Sequence, residues 1–249
     1  MNAVKELLKA GKTVIGTSGS PASEIAVLAD AGFDFILFDT QHAPVEGKQL
    51  GPAITAMRGR KAAPVVRVSE NRPDLICFAL DAGARGIIVP MVNTKAAAAA
   101  VVRACKYYPE GNRSNAGVRG EWGEQPTYRA YLDTVNRDLL IIPMIETKQA
   151  LANLDEILRV PGLDVLLVGP SDLSIELDVP LDYACATYQT ALDRIAAACK
   201  RHNVVPGMYF IPPGMDPNFY VAKGFRFFTV PWAGWATAGI QQGLAGITR

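Results

Sequence analysis

The sequence predicts an α/β fold, a single (β/α)8 TIM barrel. Three observations lead there. The chain has 249 residues, the ordinary size of one such barrel. Eight short, almost continuously apolar runs are spread along it. Helical patterns separate those runs, and several end in Gly or Asn, as helix C-caps do.

The runs, in order, are VIGTSG (14–19), FDFILFD (33–39), APVVRV (63–68), GIIVPMV (86–92), LLIIPMIE (139–146), DVLLVG (164–169), VVPGMYF (204–210) and FRFFTVP (225–231). Strands of a parallel sheet are covered on both faces, so they read as unbroken apolar stretches and not as alternation. Between them stand ASEIAVLADAG, RPDLICFALDAGA, AAAAAVVRACKYY, KQALANLDEILRV and YQTALDRIAAACKRH. Repeated β–α alternation implies right-handed crossovers and a parallel sheet. Eight strands at this length favour a closed barrel over an open doubly wound sheet. Residues 1–249 thus read as one domain, with no internal repeat and no low-complexity linker. One connection, about 107–138, is long and rich in Gly, Asn, Arg and Pro. Long loops in compact domains are often functional. It is expected to cover the site or to reach a neighbouring subunit.

Composition excludes several functions. Hydrophobic residues make up 49% and charged residues 20%, a globular balance. A formal net charge of +1 gives no electrostatic case for nucleic acid or an anionic membrane. No stretch approaches the roughly 20 apolar residues of a membrane span. The opening MNAVKELLKAGK reads as a short amphipathic helix and not as a secretion signal. Cys77, Cys105, Cys185 and Cys199 fall in helical patterns without CxxC spacing. They are expected to be buried free thiols, which suits a reducing cytoplasm.

Barrel chemistry sits where strands end and βα loops begin. The second run ends in Asp39, followed by Thr40, Gln41 and His42. The third carries Arg67 near its end, the fifth ends in Glu146, and the sixth is followed by Gly169, Pro170, Ser171 and Asp172. Neighbouring strands five and six would let Glu146 and Asp172 face one another. Two carboxylates repel unless a cation lies between them. With oxygen ligands only, Mg²⁺ fits best, and Mn²⁺ or Co²⁺ is possible. Two side chains leave positions for water and for the carboxylate and keto oxygens of a 2-oxo acid, and the metal then stabilises an enolate as a Lewis acid. Arg67, always ionised and planar, suits the same developing charge. The structural readings are a helix N-cap for Asp172, an ion pair with Arg67 for Glu146, and loop roles for Asp39 and His42. Only two histidines exclude a His-rich zinc site. No lysine lies in a strand run, which argues against Schiff-base chemistry. The loops IPPGMDPN and PWAGWATAG lack a Gly-rich phosphate cradle.

Taken together, FDFILFDTQHAP, PVVRV, LDAGARGIIVPMVNT, YYPEGNRS, MIETKQALANLDEIL and VLLVGPSDLS resemble the HpcH/HpaI aldolase family, from about residue 14 to 232. The resemblance implies a class II, metal-dependent pyruvate aldolase: cleavage of 4-hydroxy-2-oxo acids to pyruvate and an aldehyde, or the reverse addition. It implies that Glu146 and Asp172 hold the metal. It implies that His42 and Asp81 form a dyad acting on a water held by the metal and on the substrate hydroxyl proton. Arg67 would bind the pyruvate oxygen, the backbone around Ser171 and Asp172 its carboxylate, and Asp39 would stand behind the metal waters. It further implies a homohexamer built from dimers, with residues of one subunit completing a neighbour's site.

The sequence departs from the family pattern at Gln41, where many members have Glu, and at Ser114, where Gly is common. Trp232 and Trp235 stand where smaller or polar residues are usual, and could shape an apolar aldehyde pocket. Competing functions are a citrate-lyase-β or malyl-CoA-lyase-like enzyme, an oxo-acid decarboxylase, and a non-catalytic oxo-acid-binding paralogue.

Overall fold

The structure is a computed structural model, and it describes residues 1–20, 24–43, 47–118 and 120–247. In chain order its elements are α1 (Ala3–Lys9), β1 (Val14–Gly19), α2 (Ile25–Asp30), β2 (Phe35–Asp39), α3 (Gly47–Thr55), β3 (Ala63–Arg67), α4 (Pro73–Asp81) and β4 (Gly86–Val89). There follow α5 (Lys95–Cys105), α6 (Tyr128–Asp138), β5 (Leu140–Ile145), α7 (Lys148–Ala152), α8 (Leu154–Leu158), β6 (Val165–Val168) and α9 (Pro170–Glu176). The last are α10 (Ala186–His202), β7 (Val205–Met208), α11 (Pro217–Ala222), β8 (Phe227–Val230) and α12 (Ala233–Ala245). The eight strands pair in sequence order, all parallel, and β8 returns to β1. This is the single TIM barrel that the apolar runs predict, and each run contains a strand. Every run but the first extends beyond its strand, by one to three residues.

Alternation along each strand divides the core in two. Phe35, Leu37, Ala63, Val65, Leu140, Ile142, Met144, Val165, Leu167 and Phe227 fill the barrel interior. The residues between them, such as Ile36, Phe38, Val66, Ile141, Leu166 and Phe228, face the helices. Phe35 and Phe227 stack at 4.3 Å inside the barrel. Gly16 faces that pair, since a Cβ there would lie 2.3 Å from the Phe35 ring.

The end of the barrel where strands begin is closed. Val4 and Leu8 of α1 join the interior cluster as a plug. Asn2 donates to the Arg85 carbonyl at 2.8 Å, and Lys5 pairs with Asp164 at 2.9 Å. The connection 107–138 lies at this same end. Trp122 packs under the Arg85 guanidinium at 4.6 Å, and Glu121 shares a hollow with Ala62, Ala63 and Pro64 at the start of β3. Within one chain the connection therefore does not cover the strand C-termini, contrary to one of the two sequence expectations. The reason is that α5 descends before the connection starts. Asn136 then ties the connection's far end back to Tyr107, accepting from its N–H at 2.7 Å and donating to its carbonyl at 2.9 Å.

Among the described residues, no helix is long and apolar enough to cross a membrane. None of the four cysteines is in a disulfide. Cys105 and Cys199 are buried as expected, whereas Cys77 and Cys185 are only half-buried. Helix α12 differs from the others, for none of its residues is buried.

Candidate active site

The inward rows continue past the strand ends into the mouth. Asp39 follows Phe35 and Leu37; Arg67 follows Ala63 and Val65; Glu146 follows Ile142 and Met144. Gly169 and Tyr209 continue the rows of β6 and β7 in the same way. A period of two thus aims each of these residues at the barrel axis. They surround an open hollow of about 370 Å³, together with His42, Pro170, Ser171, Asp172 and Phe210.

Asp39 and Arg67 sit opposite each other in the β2–β3 register. They pair side-on: Nε donates to Oδ1 at 2.8 Å and Nη2 to Oδ2 at 2.5 Å. Such a two-point, charge-assisted pair is strong and directional. Burial alone would push the Asp39 carboxyl up. The Arg67 hydrogen bonds and charge, with the backbone N–H groups of Gln41 and His42, outweigh it and hold Asp39 below the ordinary value. Tyr209 lies under the guanidinium, 4.0 Å from its ring centroid.

Glu146 is the opposite case. It is 2% exposed, and its Oε2 accepts from the Met91 N–H at 2.8 Å. Met91 holds a left-handed backbone, φ 54°, that few non-glycine residues adopt, as it presents that N–H. Burial pushes the Glu146 carboxyl up and the charge of Asp172 adds to this; Met91, Arg67 and His42 only partly oppose them. A buried acid without a cationic partner is costly. Gly169 accommodates it, because a Cβ there would lie 2.5 Å from Oε1. Asp172 is in the first turn of α9, behind Pro170 at the helix start.

This donor set suits a hard divalent cation. Besides Asp39, paired with Arg67, the mouth offers the carboxylates of Glu146 and Asp172, and Glu146 is seated in a cradle that a Cβ at position 169 would fill. Among the described residues no three His, Cys, Asp or Glu side chains lie close enough together to hold a metal ion by themselves. Water and substrate would have to complete the shell, as is usual for Mg²⁺.

Other expected residues fall elsewhere. Gln41 stands behind the hollow; its N–H donates to Asp39 Oδ1 at 2.9 Å, and its buried Oε1 has no hydrogen-bond partner. Asp81 closes α4, the helix that runs back toward the closed end. It accepts from Arg113 at 3.0 Å and from the Cys77 thiol at 3.7 Å, in a different hollow beside Phe78. A His42–Asp81 contact is therefore not made within one chain. Trp232 lines an adjoining hollow of about 450 Å³ that shares Tyr209 and Phe210 with the mouth, and its Nε1 donates to the Ser18 carbonyl at 3.0 Å. Trp235 does not join it: it is 60% exposed on α12 and stacks on Phe33 at 6.5 Å. Only one of the two tryptophans can thus shape a pocket at the mouth. Tyr209, Phe210 and Met91 were not singled out from the sequence. The inward parity of β7 could have found Tyr209, whereas nothing local marks Met91.

Comparison with known proteins agrees with the geometry. The sequence pattern described as HpcH/HpaI aldolase/citrate lyase matches residues 12–233. A 2-dehydro-3,6-dideoxy-6-sulfogluconate aldolase of Pseudomonas putida is 40% identical over 226 residues, covering 90% of this chain and 88% of that protein. A hydroxypyruvate/pyruvate aldolase of Rhizorhabdus wittichii is 38% identical over 211 residues, covering 81% and 80%. A crystal structure of an HpcH/HpaI aldolase/citrate lyase family protein from Burkholderia cenocepacia superposes with a TM-score of 0.86 at 31% identity, over 98% of each chain. The chain is a carbon–carbon lyase of the aldolase type, and its family's aldolases depend on a divalent metal ion. A pattern running from residue 12 to 233, with an aldolase relative at 40% identity, decides the assignment: the chain belongs to the HpcH/HpaI aldolase/citrate lyase family.

Proposed function

We propose that Glu146 and Asp172 hold the divalent ion, Mg²⁺ in preference to Mn²⁺ or Co²⁺, and that the substrates are 4-hydroxy-2-oxo acids cleaved to pyruvate and an aldehyde, or formed from them. One observation carries this reading. Of the inward carboxylates at the mouth, the half-buried Asp39 is neutralised by Arg67, and the buried Glu146 is not. When bound, the ion supplies Lewis acidity toward the oxygens of the oxo acid.

The chain's own residues do the rest. Asp39 engages the Nε–Nη2 edge of Arg67, which leaves Nη1 as the end of the fork for a ligand. Nη1 donates to the C2 oxygen and gains strength as that oxygen takes up enolate charge. The N–H groups of Ser171 and Asp172, in the first turn of α9, receive the substrate carboxylate. His42 takes the proton of the C4 hydroxyl as general base. The C3–C4 bond then breaks, the aldehyde leaves, and its bonding electrons remain as the enolate. A proton returned to C3 gives pyruvate.

Asp81 can assist His42 only from a neighbouring subunit. A homohexamer built from dimers would allow this, and two features support assembly. Phe78, beside Asp81, is 66% exposed. Helix α12 leaves Ile240 and Leu244 exposed. Trp232 and Phe210 would form the wall that receives the aldehyde chain. The names of the relatives put sugar-derived 2-oxo acids, hydroxypyruvate and pyruvate on the substrate panel. Cysteines outside any disulfide favour a cytoplasmic setting.

The test is exchange of the pyruvate C3 hydrogens in D₂O, with Mg²⁺ and with EDTA. Metal-dependent exchange is expected, abolished by Glu146→Gln. Exchange that ignores EDTA, or no exchange at all, sinks the reading.

A further inference from the structure

We infer that Tyr209 is a positioning residue for Arg67: its ring and hydroxyl hold the Arg67–Asp39 pair so that Nη1 stays turned toward the oxo acid. This rests on the role proposed above for Arg67. Two contacts and the direction of one strand carry it. The ring centroid lies 4.0 Å from the guanidinium carbon, so one face of the cation is covered. The hydroxyl donates to Asp39 Oδ2 at 3.4 Å, the same oxygen that Nη2 engages at 2.5 Å. The backbone of β7 aims Tyr209 inward, in the row of Val205 and Gly207.

The geometry explains why an aromatic ring is needed. Asp39 secures one edge of the guanidinium but not its tilt about that edge. A flat ring against one face removes the tilt. Arg67 is 4% exposed, so little else of it remains free to move. Burial pushes the Tyr209 phenol up to about 12, so it remains a donor throughout the working range. Tyr209 also forms part of the wall between the mouth and the Trp232 hollow. It therefore lies between the cation and the aldehyde side.

Tyr209→Phe keeps the face and loses the hydroxyl; Tyr209→Leu loses both. In pyruvate C3 exchange, Leu should lower kcat about 10- to 100-fold with little change in KM, the size expected of a small misplacement of a catalytic group. Phe should recover most of that loss. Arg67→Ala should cost far less in the Leu background than in the native one, as for residues acting as a unit. Additive losses overturn the inference, as does a Leu variant as active as native. A crystal structure of Tyr209→Leu gives a readout independent of activity. A guanidinium turned away from its side-on pairing supports the inference, and an unmoved pair overturns it. If the native protein exchanges nothing, the aldolase reading has failed, and the crystal structure alone decides the role of Tyr209.

Discussion

The two ends of the barrel treat buried acids in opposite ways. At the closed end, Asp138 is 2% exposed and accepts from Arg137 at 2.8 Å on both oxygens, with the N-terminal ammonium at 3.2 Å. Burial alone would push its carboxyl up, but these cations hold it below the ordinary value. At the open end, Glu146 is equally buried and accepts one hydrogen bond, from the Met91 N–H; burial and the charge of Asp172 push its carboxyl up against the weaker pull of Arg67 and His42. At the closed end Asp138 has its charge satisfied and contributes stability. The open end keeps one charge unsatisfied, which is a capacity to bind. Barrels commonly divide their labour this way, with chemistry at the strand C-termini.

The contrast can be broken most directly at Glu146. Glu146→Gln should lower aldol cleavage by on the order of a thousandfold or more, since metal Lewis acidity is worth several kcal/mol. In metal-free protein the same change should stabilise. A raised folded pKa means that native protein loses stability as pH climbs from the unfolded carboxylate value, about 4.3, through the higher folded one. The Gln variant should thus melt higher than native at neutral pH and lose that advantage in acid. Divalent metal should raise the melting temperature of native protein and not that of the variant.

Arg67→Ala should cost about 3–4 kcal/mol of barrier, read in kcat, and Arg67→Lys should not restore it, because Lys lacks the planar fork. The Ala variant should also melt lower, by roughly 3–5 kcal/mol, since it leaves Asp39 buried without its cation.

Gly169→Ala sharpens the comparison without touching a charge. The new Cβ would meet the Glu146 carboxylate at 2.5 Å. Metal affinity, measured by calorimetry, should fall about 10- to 100-fold, the usual effect of disturbing the support of a ligand.

The smallest effect on activity belongs to the closed end. Asp138→Asn should leave kcat unchanged and destabilise by about 1–3 kcal/mol at neutral pH. Here the folded pKa is depressed. The stabilisation is present above the unfolded value of about 3.9 and is lost as pH falls through the folded one. Native and Asn melting temperatures should therefore converge in acid. If Asp138→Asn lowered kcat as much as Glu146→Gln, the division between the ends would be wrong.

Much of this was legible along the chain. The strand runs are strongly apolar because both faces of a parallel barrel are covered, and that is a local, periodic signal. Asp39, Arg67, Glu146 and Asp172 were legible because they end or follow such runs, where barrels place their polar groups. Asp81 was read from a motif alone. Its seat at the lower end of α4 depends on helix direction, which a motif does not encode. Trp235 was grouped with Trp232 by nearness in sequence, yet a helix that leaves the barrel takes it elsewhere.

By itself, then, the sequence determined the barrel, its mouth and the acids there, since alternation and strand ends are properties of neighbouring residues. Only the tertiary structure decided which acid is neutralised. Asp39 meets Arg67 across two strands, and Glu146 meets a peptide N–H from the loop after β4. Those partners are remote in the chain, and at low dielectric the identity of the nearest partner sets what each carboxylate can do.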